Sequence, residues 1–508
     1  MHEGNKKILL NTSTLYLRMF VTMVISFYTA RVTLNLLGVD NYGLNNLVGG
    51  VISMFSFINL SMGTTVQRFF SVEIGKNNEL ILSKIFSTGL YLHVIIAFIT
   101  WVIAEIFAWG FIEKLNISPD RMFAAKCVFQ ISTVSLVLSV LNVPFAALLR
   151  AREEFRRIAV VEIIQAFLRL AVLYFLYVID YDKLIVFSLL NFVVTVYYVF
   201  STVYIARRYK EARICLSSDK KLMKEMLHFT LMLVLAIFAK LFRDQGIVIL
   251  VNLFFGLAIN AAYAIAIQIK QVIDNFTSNF KQSVVPQLMS SYGENNIERM
   301  NKLIFSGTKI TFFLTLLITC PIILESEYLL NLWLGKAPES SSMYTSLVLL
   351  EFIIYSFPYF LVQTIHATSK LRKIQIITSS IYLFNTLCCY LALLIGANCY
   401  SVVYISIIIS VLLLIISVKC VSDVIQFDVM YFYTNIVCKC VLVSALTFAV
   451  SMIPLFILDS SFLRLVFITI LSSISLIFGG YCIALNKEER TLYRKVGGYI
   501  IGKIRFCK

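Results

Sequence analysis

GKNNELILSKIFSTG (75–89) and GENNIERMNKLIFSG (293–307) are two versions of one phrase. Each runs from Gly-x-Asn-Asn through a charged stretch with a lysine into Ile-Phe-Ser, and the two lie 218 positions apart. Two further matches keep nearly that spacing. Gly38 closes LNLLG and Gly256 closes NLFFG, again 218 apart; LLRAREEFRR (148–157) aligns with TIHATSKLRK (364–373) at 216. Each member of the last pair follows a proline, Pro144 or Pro358, expected to end a helix. Three matches in one order at nearly one spacing mark an internal repeat.

The chain around these polar phrases is apolar. Of 508 residues, 59% are hydrophobic and 14% charged, against roughly 25% charged in a soluble domain. Mean hydropathy is +0.85. Fourteen apolar segments, near 8–37, 43–70, 85–112, 122–149, 157–179, 184–206, 226–256, 258–285, 303–329, 343–366, 373–396, 400–426, 431–457 and 463–485, are each long enough to cross a bilayer. The first lacks a signal-peptide pattern and reads as a retained helix. The repeat unit therefore holds six helices. Six is even, so both copies share one orientation, an arrangement found in alternating-access carriers. The expected fold is all-α integral membrane, with about 14 transmembrane helices. Its parts are a six-helix bundle over 1–209, a second over 210–427, two extra helices over 428–485, and a basic tail over 486–508.

Net charge is +16. The basic residues gather between segments, so they read as topology signals rather than a nucleic-acid surface. Arg150, Arg152, Arg156 and Arg157, the run from Arg207 to Lys224, the cluster Lys370, Arg372 and Lys373, and the tail share one side. The other side holds only Lys114, Arg121, Lys183, Lys336 and Arg464. Both termini are expected in the cytoplasm. Eleven scattered cysteines suit small core residues, not a metal site or a disulfide framework. The four histidines form no ligand pair, and no nucleotide phosphate loop is present, so no metal or nucleotide cofactor is expected. No connection is long enough for a catalytic domain, which argues against an enzyme.

Ionisable residues inside apolar segments cost at least about 2.5–3.5 kcal/mol each at the bilayer centre and need a partner, water or a role. Lys240, Arg243 and Asp244 share one face of helix seven; Lys270 and Asp274 lie i, i+4 on helix eight. Lys240–Asp244 and Lys270–Asp274 could form structural pairs, which leaves Arg243 over to face a wet cavity. In helix one, Asn11, Thr14, Arg18 and Thr22 form a polar stripe, either a cavity wall or a buried network. Lys126, Lys309 and Lys439 are expected mostly to snorkel. The surplus is positive, which selects an anion, and a phosphate above all. Glu105, Glu351, Asp244 and Asp274 are the candidates for proton or sodium coupling.

Three stretches carry a family resemblance. ARVTLNLLGVDNYGLNNLVGG (30–50), RFFSVEIGKNNELILSKIFSTG (68–89) and NLWLGKAPE (331–339) resemble turns of polysaccharide exporters. Together they resemble the MOP exporter superfamily, in the polysaccharide branch of Wzx-type O-antigen flippases. The resemblance implies two six-helix bundles around a cavity in a bacterial inner membrane. It also implies transfer of an undecaprenyl-diphosphate-linked oligosaccharide to the periplasmic leaflet, with a polysaccharide polymerase and chain-length machinery as possible partners. Arg18, Arg243, Lys240 and Lys270 would then meet the diphosphate. A lipid II flippase is the nearest alternative. A MATE-type drug exporter is disfavoured by the basic interior, and a membrane ligase or polymerase by the lack of a large loop.

Overall fold

The computed structural model describes the backbone of residues 3–53, 56–111, 119–179, 181–213, 219–335, 337–368, 371–486 and 489–490. Side chains are described over the same ranges apart from 3–6, most of 27–60, 80, 107–111 and 257. The side chain of Arg31, and Lys114, Lys336, Lys370, Lys487 and the tail beyond Arg490, lie outside the described residues.

Helices account for nearly all of the described chain, and no strand occurs among the described residues. In order they are α1 (Glu3–Ser53), α2 (Ser56–Gly75), α3 (Glu79–Phe111), α4 (Pro119–Ala151), α5 (Phe155–Val178), α6 (Lys183–Ala206), α7 (Lys220–Gly293), α8 (Ile297–Leu324), α9 (Ser326–Leu334), α10 (Ser341–Tyr355), α11 (Pro358–Thr368), α12 (Leu371–Leu394) and α13 (Ser401–Ser422). Two further apolar spans, Val429–Ile457 and Phe462–Ala484, complete the described part. Among the described residues, eleven helices are long and apolar enough to cross a membrane, and the pair α10–α11, bent by 41°, makes a twelfth. The two remaining segments of the expected fourteen, 43–70 and 258–285, are helical over their described residues but more polar.

Local chemistry sets the helix ends. The carboxylates of Asp182 and Asp219 accept backbone N–H groups at the starts of α6 and α7, and the Asn296 side chain does so for α8. At Gly256 the backbone turns to φ 78°, which breaks α7 where helices seven and eight were expected to part. Two prolines behave differently. Pro358 opens α11 as a helix-ending proline should, whereas α4 runs through Pro144 to Ala151. The helix end expected at Pro144 does not occur: α4 runs to Ala151, close to the 149 expected for the segment, and Glu153 takes φ 60° just beyond it.

The chain forms two compact units. Unit 2 holds Lys7–Ile237 and Met289–Asn295; unit 1 holds Met1–Lys6, Phe238–Leu288 and Asn296–Lys508. The division falls within α7 rather than in the link at 209/210. Unit 2 packs Phe86 edge-on to Phe145 at 5.0 Å and buries Met62, Val66, Phe70 and Ile85. In unit 1, Tyr344 packs against Tyr263 and Tyr400 among Val251, Val348 and Val402.

In unit 1 the last span and the residues just after it are tied to α8 and its C-terminal end by charge. Arg464 forms a two-pronged bond to Glu325, at 2.5 and 2.9 Å. The Lys309 ammonium bonds the Glu489 carboxylate and lies 3.4 Å from the Ala484 carbonyl. Snorkelling is thus the wrong account of Lys309, which is 1% exposed: a carboxylate reaches it inside the protein.

The repeated phrase has a geometric meaning within unit 2. A Cβ on Gly75 would lie 2.2 Å from the Ser290 carbonyl oxygen, and one on Gly293 would lie 2.0 Å from that of Val72. Residues 72 and 290 are themselves 218 apart, so the two copies make the same contact reciprocally. The left-handed turn falls instead on Asn77 (φ 56°) and Asn295 (φ 58°), again 218 apart. The asparagines end the helices; the glycines let the two backbones touch.

Candidate functional site

Most ionisable residues expected in the interior gather in unit 1. α7 supplies Lys240, Arg243 and Asp244 before its break, and Lys270, Asp274 and Lys281 after it. Glu351 and Tyr355 come from α10, Tyr382 from α12 and Ser410 from α13.

Glu351 is the hub. Its carboxylate accepts from Arg243 Nη2 at 2.5 Å, Lys270 Nζ at 2.9 Å and Ser410 Oγ at 3.3 Å. Its side chain is 3% exposed and that of Arg243 5%. A carboxylate so deep is tolerable because two cations and a hydroxyl satisfy it. Aromatic faces flank Lys240 and also Arg243. Lys240 Nζ lies 5.2 Å from the Tyr355 ring centroid, and the Arg243 guanidinium 5.9 Å from that of Tyr382. The Tyr355 and Tyr382 hydroxyls are 3.1 Å apart. Lys281 bonds Asp274 at 2.9 Å and sits 5.0 Å over Tyr359.

The group thus holds four cations (Lys240, Arg243, Lys270, Lys281) and three carboxylates (Asp244, Asp274, Glu351), a surplus of one positive charge. It has a buried anchor and an open edge. The Lys270 side chain is 21% exposed, while Asp244 and Asp274 are 44% and 40% exposed.

This pairing differs from the one expected along each helix. Lys270 bonds Glu351, not Asp274; Asp274 bonds Lys281 seven residues on. Lys240 rests on Tyr355, and Asp244 lies 3.8 Å from Arg243 Nε. Arg243 does not face a wet cavity: Glu351 engages it. Helix spacing reveals same-helix neighbours only, so a carboxylate arriving from α10 was not visible in it. Lys281 was passed over, although its i, i+7 relation to Asp274 was the signal.

In unit 2, Arg18 Nη1 bonds Glu162 at 2.5 Å, the side chains being 19% and 21% exposed. Asn11 donates to Glu153 at 3.1 Å, and Lys7 lies 3.6 Å from the same carboxylate. Thr14 and Thr22 bond back to carbonyls of their own helix. Of the helix-one stripe, Arg18 therefore bonds α5 and Asn11 the turn between α4 and α5. Glu105 accepts from Gln130 at 3.0 Å.

A family model described as "Polysaccharide biosynthesis protein" matches residues 35–343, more than half of the chain. The chain belongs to that family. With its fold, this places it in the MOP exporter superfamily, polysaccharide branch. No curated protein sequence matches it. Among solved structures it is similar to an outward-facing multidrug resistance MATE family transporter of the MOP superfamily, at 13% identity and a TM-score of 0.72, covering 83% of this chain and 96% of that one. It is also similar to a MOP superfamily transporter from Pyrococcus furiosus, for which a reversed polarity of the binding pocket is reported to suggest a different function. There identity is 13% and TM-score 0.71, with 84% and 97% covered. A MATE transporter in the bent conformation gives 14% and 0.72, with 83% and 96% covered. At these identities the likeness is one of fold. The polysaccharide biosynthesis family and the MOP fold are those of a multi-pass membrane transporter.

Proposed function

We propose that the chain is a flippase that moves an undecaprenyl-diphosphate-linked oligosaccharide across a bacterial inner membrane. The cargo would be an O-antigen, capsule or exopolysaccharide unit, taken from the cytoplasmic to the periplasmic leaflet by alternating access. The observation that carries this reading is the positive surplus around Glu351. An anion gains from it at the reduced dielectric of a membrane interior, whereas an organic cation of the drug-exporter kind is repelled.

The residues divide the work. Glu351 holds Arg243 and Lys270 in place, so Arg243 acts as a fixed background charge. Lys270 and Lys240, less deeply buried, present ammonium donors to a diphosphate. Within the other unit, Arg18 is the candidate cation for an anionic cargo. Asp244 and Asp274, at the open edge, are better placed than buried Glu351 to exchange a proton or sodium ion, and Glu105 is the candidate in the other unit. The polymerase that extends the polysaccharide would consume the product, and both chain termini would remain cytoplasmic.

The test is complementation of a flippase-deficient host. Lys270→Ala, Arg243→Ala and Arg18→Ala, at normal membrane levels, should each cut surface-polysaccharide display at least tenfold. Full display from all three would sink the reading.

A further inference from the structure

The second half of α7 carries a feature that the charges do not explain. Gln268, Gln271, Asn275 and Gln282 are exposed, and Ser278 is partly so. At 100° per residue these five fall within about 80° of one another around the helix axis and extend about 21 Å along it. The stripe is uncharged. Gln271 Nε2 donates to Asn275 Oδ1 at 3.2 Å, and Ser278 Oγ donates to the Asn275 carbonyl at 2.8 Å.

A membrane helix does not turn such a face to lipid. An amide without a hydrogen-bond partner in an apolar medium costs about 1–3 kcal/mol by protein data, and more against hydrocarbon. The first half of the same helix shows the lipid pattern. It exposes Leu227, Leu231, Leu235, Phe238, Leu241, Phe242, Ile249 and Leu253, whereas the described side chains past Gly256 expose one large apolar group, Val272. The stripe therefore meets water or ligand.

Its chemistry names the ligand class. Each amide offers two donors and an acceptor with no net charge. That suits a hydroxyl, itself donor and acceptor, and gives nothing special to a phosphate. We infer that the stripe Gln268–Gln271–Asn275–Ser278–Gln282 reads the neutral, hydroxyl-rich saccharide of the cargo. The cations on the same helix hold its diphosphate. Lys270 and Asp274 lie on the same stretch of α7, about 100° round the axis from Gln271 and Asn275, so the two chemistries share one segment of the helix. The positions 218 earlier are Gly50, Ser53, Phe57, Leu60 and Thr64, so the other copy of the repeat has no such amides. The inference rests on the flippase reading for the lipid part of the ligand, but not for the saccharide part.

The experiment measures binding to the full-length protein in lipid nanodiscs. Three probes are used: the lipid-linked oligosaccharide extracted from the host envelope, bare undecaprenyl diphosphate, and the free oligosaccharide released from the extracted lipid. Wild type should bind the glycosylated lipid at least tenfold more tightly than the bare one. Q271L/N275L should erase that gain and leave bare-lipid binding unchanged, while Asn275→Gln, which keeps the amide, should retain most of it. Leucine at exposed positions of a membrane helix removes no packing, and Asn275→Gln controls for folding. A tenfold gain surviving in Q271L/N275L, or absent from wild type, overturns the inference. Should bare diphosphate fail to bind while the free oligosaccharide binds wild type and not Q271L/N275L, the flippase reading falls and the stripe stands.

Discussion

Two Arg–Glu pairs of equal length occupy the two units. Arg243–Glu351 and Arg18–Glu162 are both 2.5 Å, and both join different helices. They differ in burial. The first pair is 5% and 3% exposed, the second 19% and 21%. The difference decides what each contact is worth. In the first, desolvation is complete and the carboxylate is shared with Lys270, so no member can leave without stranding a charge. In the second, both side chains keep part of their surface exposed and no further cation among the described residues shares the carboxylate with Arg18, so desolvation is only partial. One pair is a fixture of the fold, while the other can open at small cost.

That comparison predicts a graded series, read by thermal or denaturant unfolding in detergent. Glu351→Leu strands Arg243 and Lys270 and should cost the most, about 3–5 kcal/mol. Arg464→Met comes next, at about 3 kcal/mol, because Glu325 is 1% exposed while its arginine is 15% exposed. Glu162→Leu should cost about 1 kcal/mol or less. A cost for Glu162→Leu equal to that of Glu351→Leu would break the comparison. The weakest member is Lys373–Asp423, at 2.5 Å and with both side chains well exposed. Lys373 donates a hydrogen bond to the Asp423 carboxyl and attracts it electrostatically, which holds its pKa below the ordinary value of 3.8. A lowered carboxyl pKa gives stability that is present above the unfolded value and is lost as pH falls through the folded one. Asp423→Asn should therefore cost a slight loss of stability near neutrality, and its curve should close on wild type only as pH falls from 3.8 through the lower folded pKa. A gap that persists in acid would mean the pair acts through packing.

Much of this was legible in the sequence, and the exceptions share a cause. Apolar length marked the spans, and the 218-residue spacing marked the equivalence that Asn77 and Asn295 display in their backbone. Gly256 was correctly placed between two helices. What composition and helix spacing do not carry is which helix faces which. Glu351 was seen as an acid but not as the partner of Arg243 and Lys270, and Glu162 was not matched to Arg18. Lys309 belongs to a group of lysines expected mostly to snorkel, and its carboxylate lies 180 residues away, beyond the reach of helix spacing. The amide stripe was overlooked for another reason. Gln, Asn and Ser carry no charge, so they draw attention only once exposure shows which way they point.

The contact between Gly75 and Gly293 also bears on descent. In a symmetric dimer of identical chains, one gene writes both sides of an isologous contact, so any change appears twice. Here Val72 meets Gly293 and Ser290 meets Gly75, the pattern of such a dimer, yet each side is spelled separately. A methyl group on either glycine would strike a backbone carbonyl, so neither phrase can drift while the other stays. Where their backbones touch, they remain bound to a common inheritance.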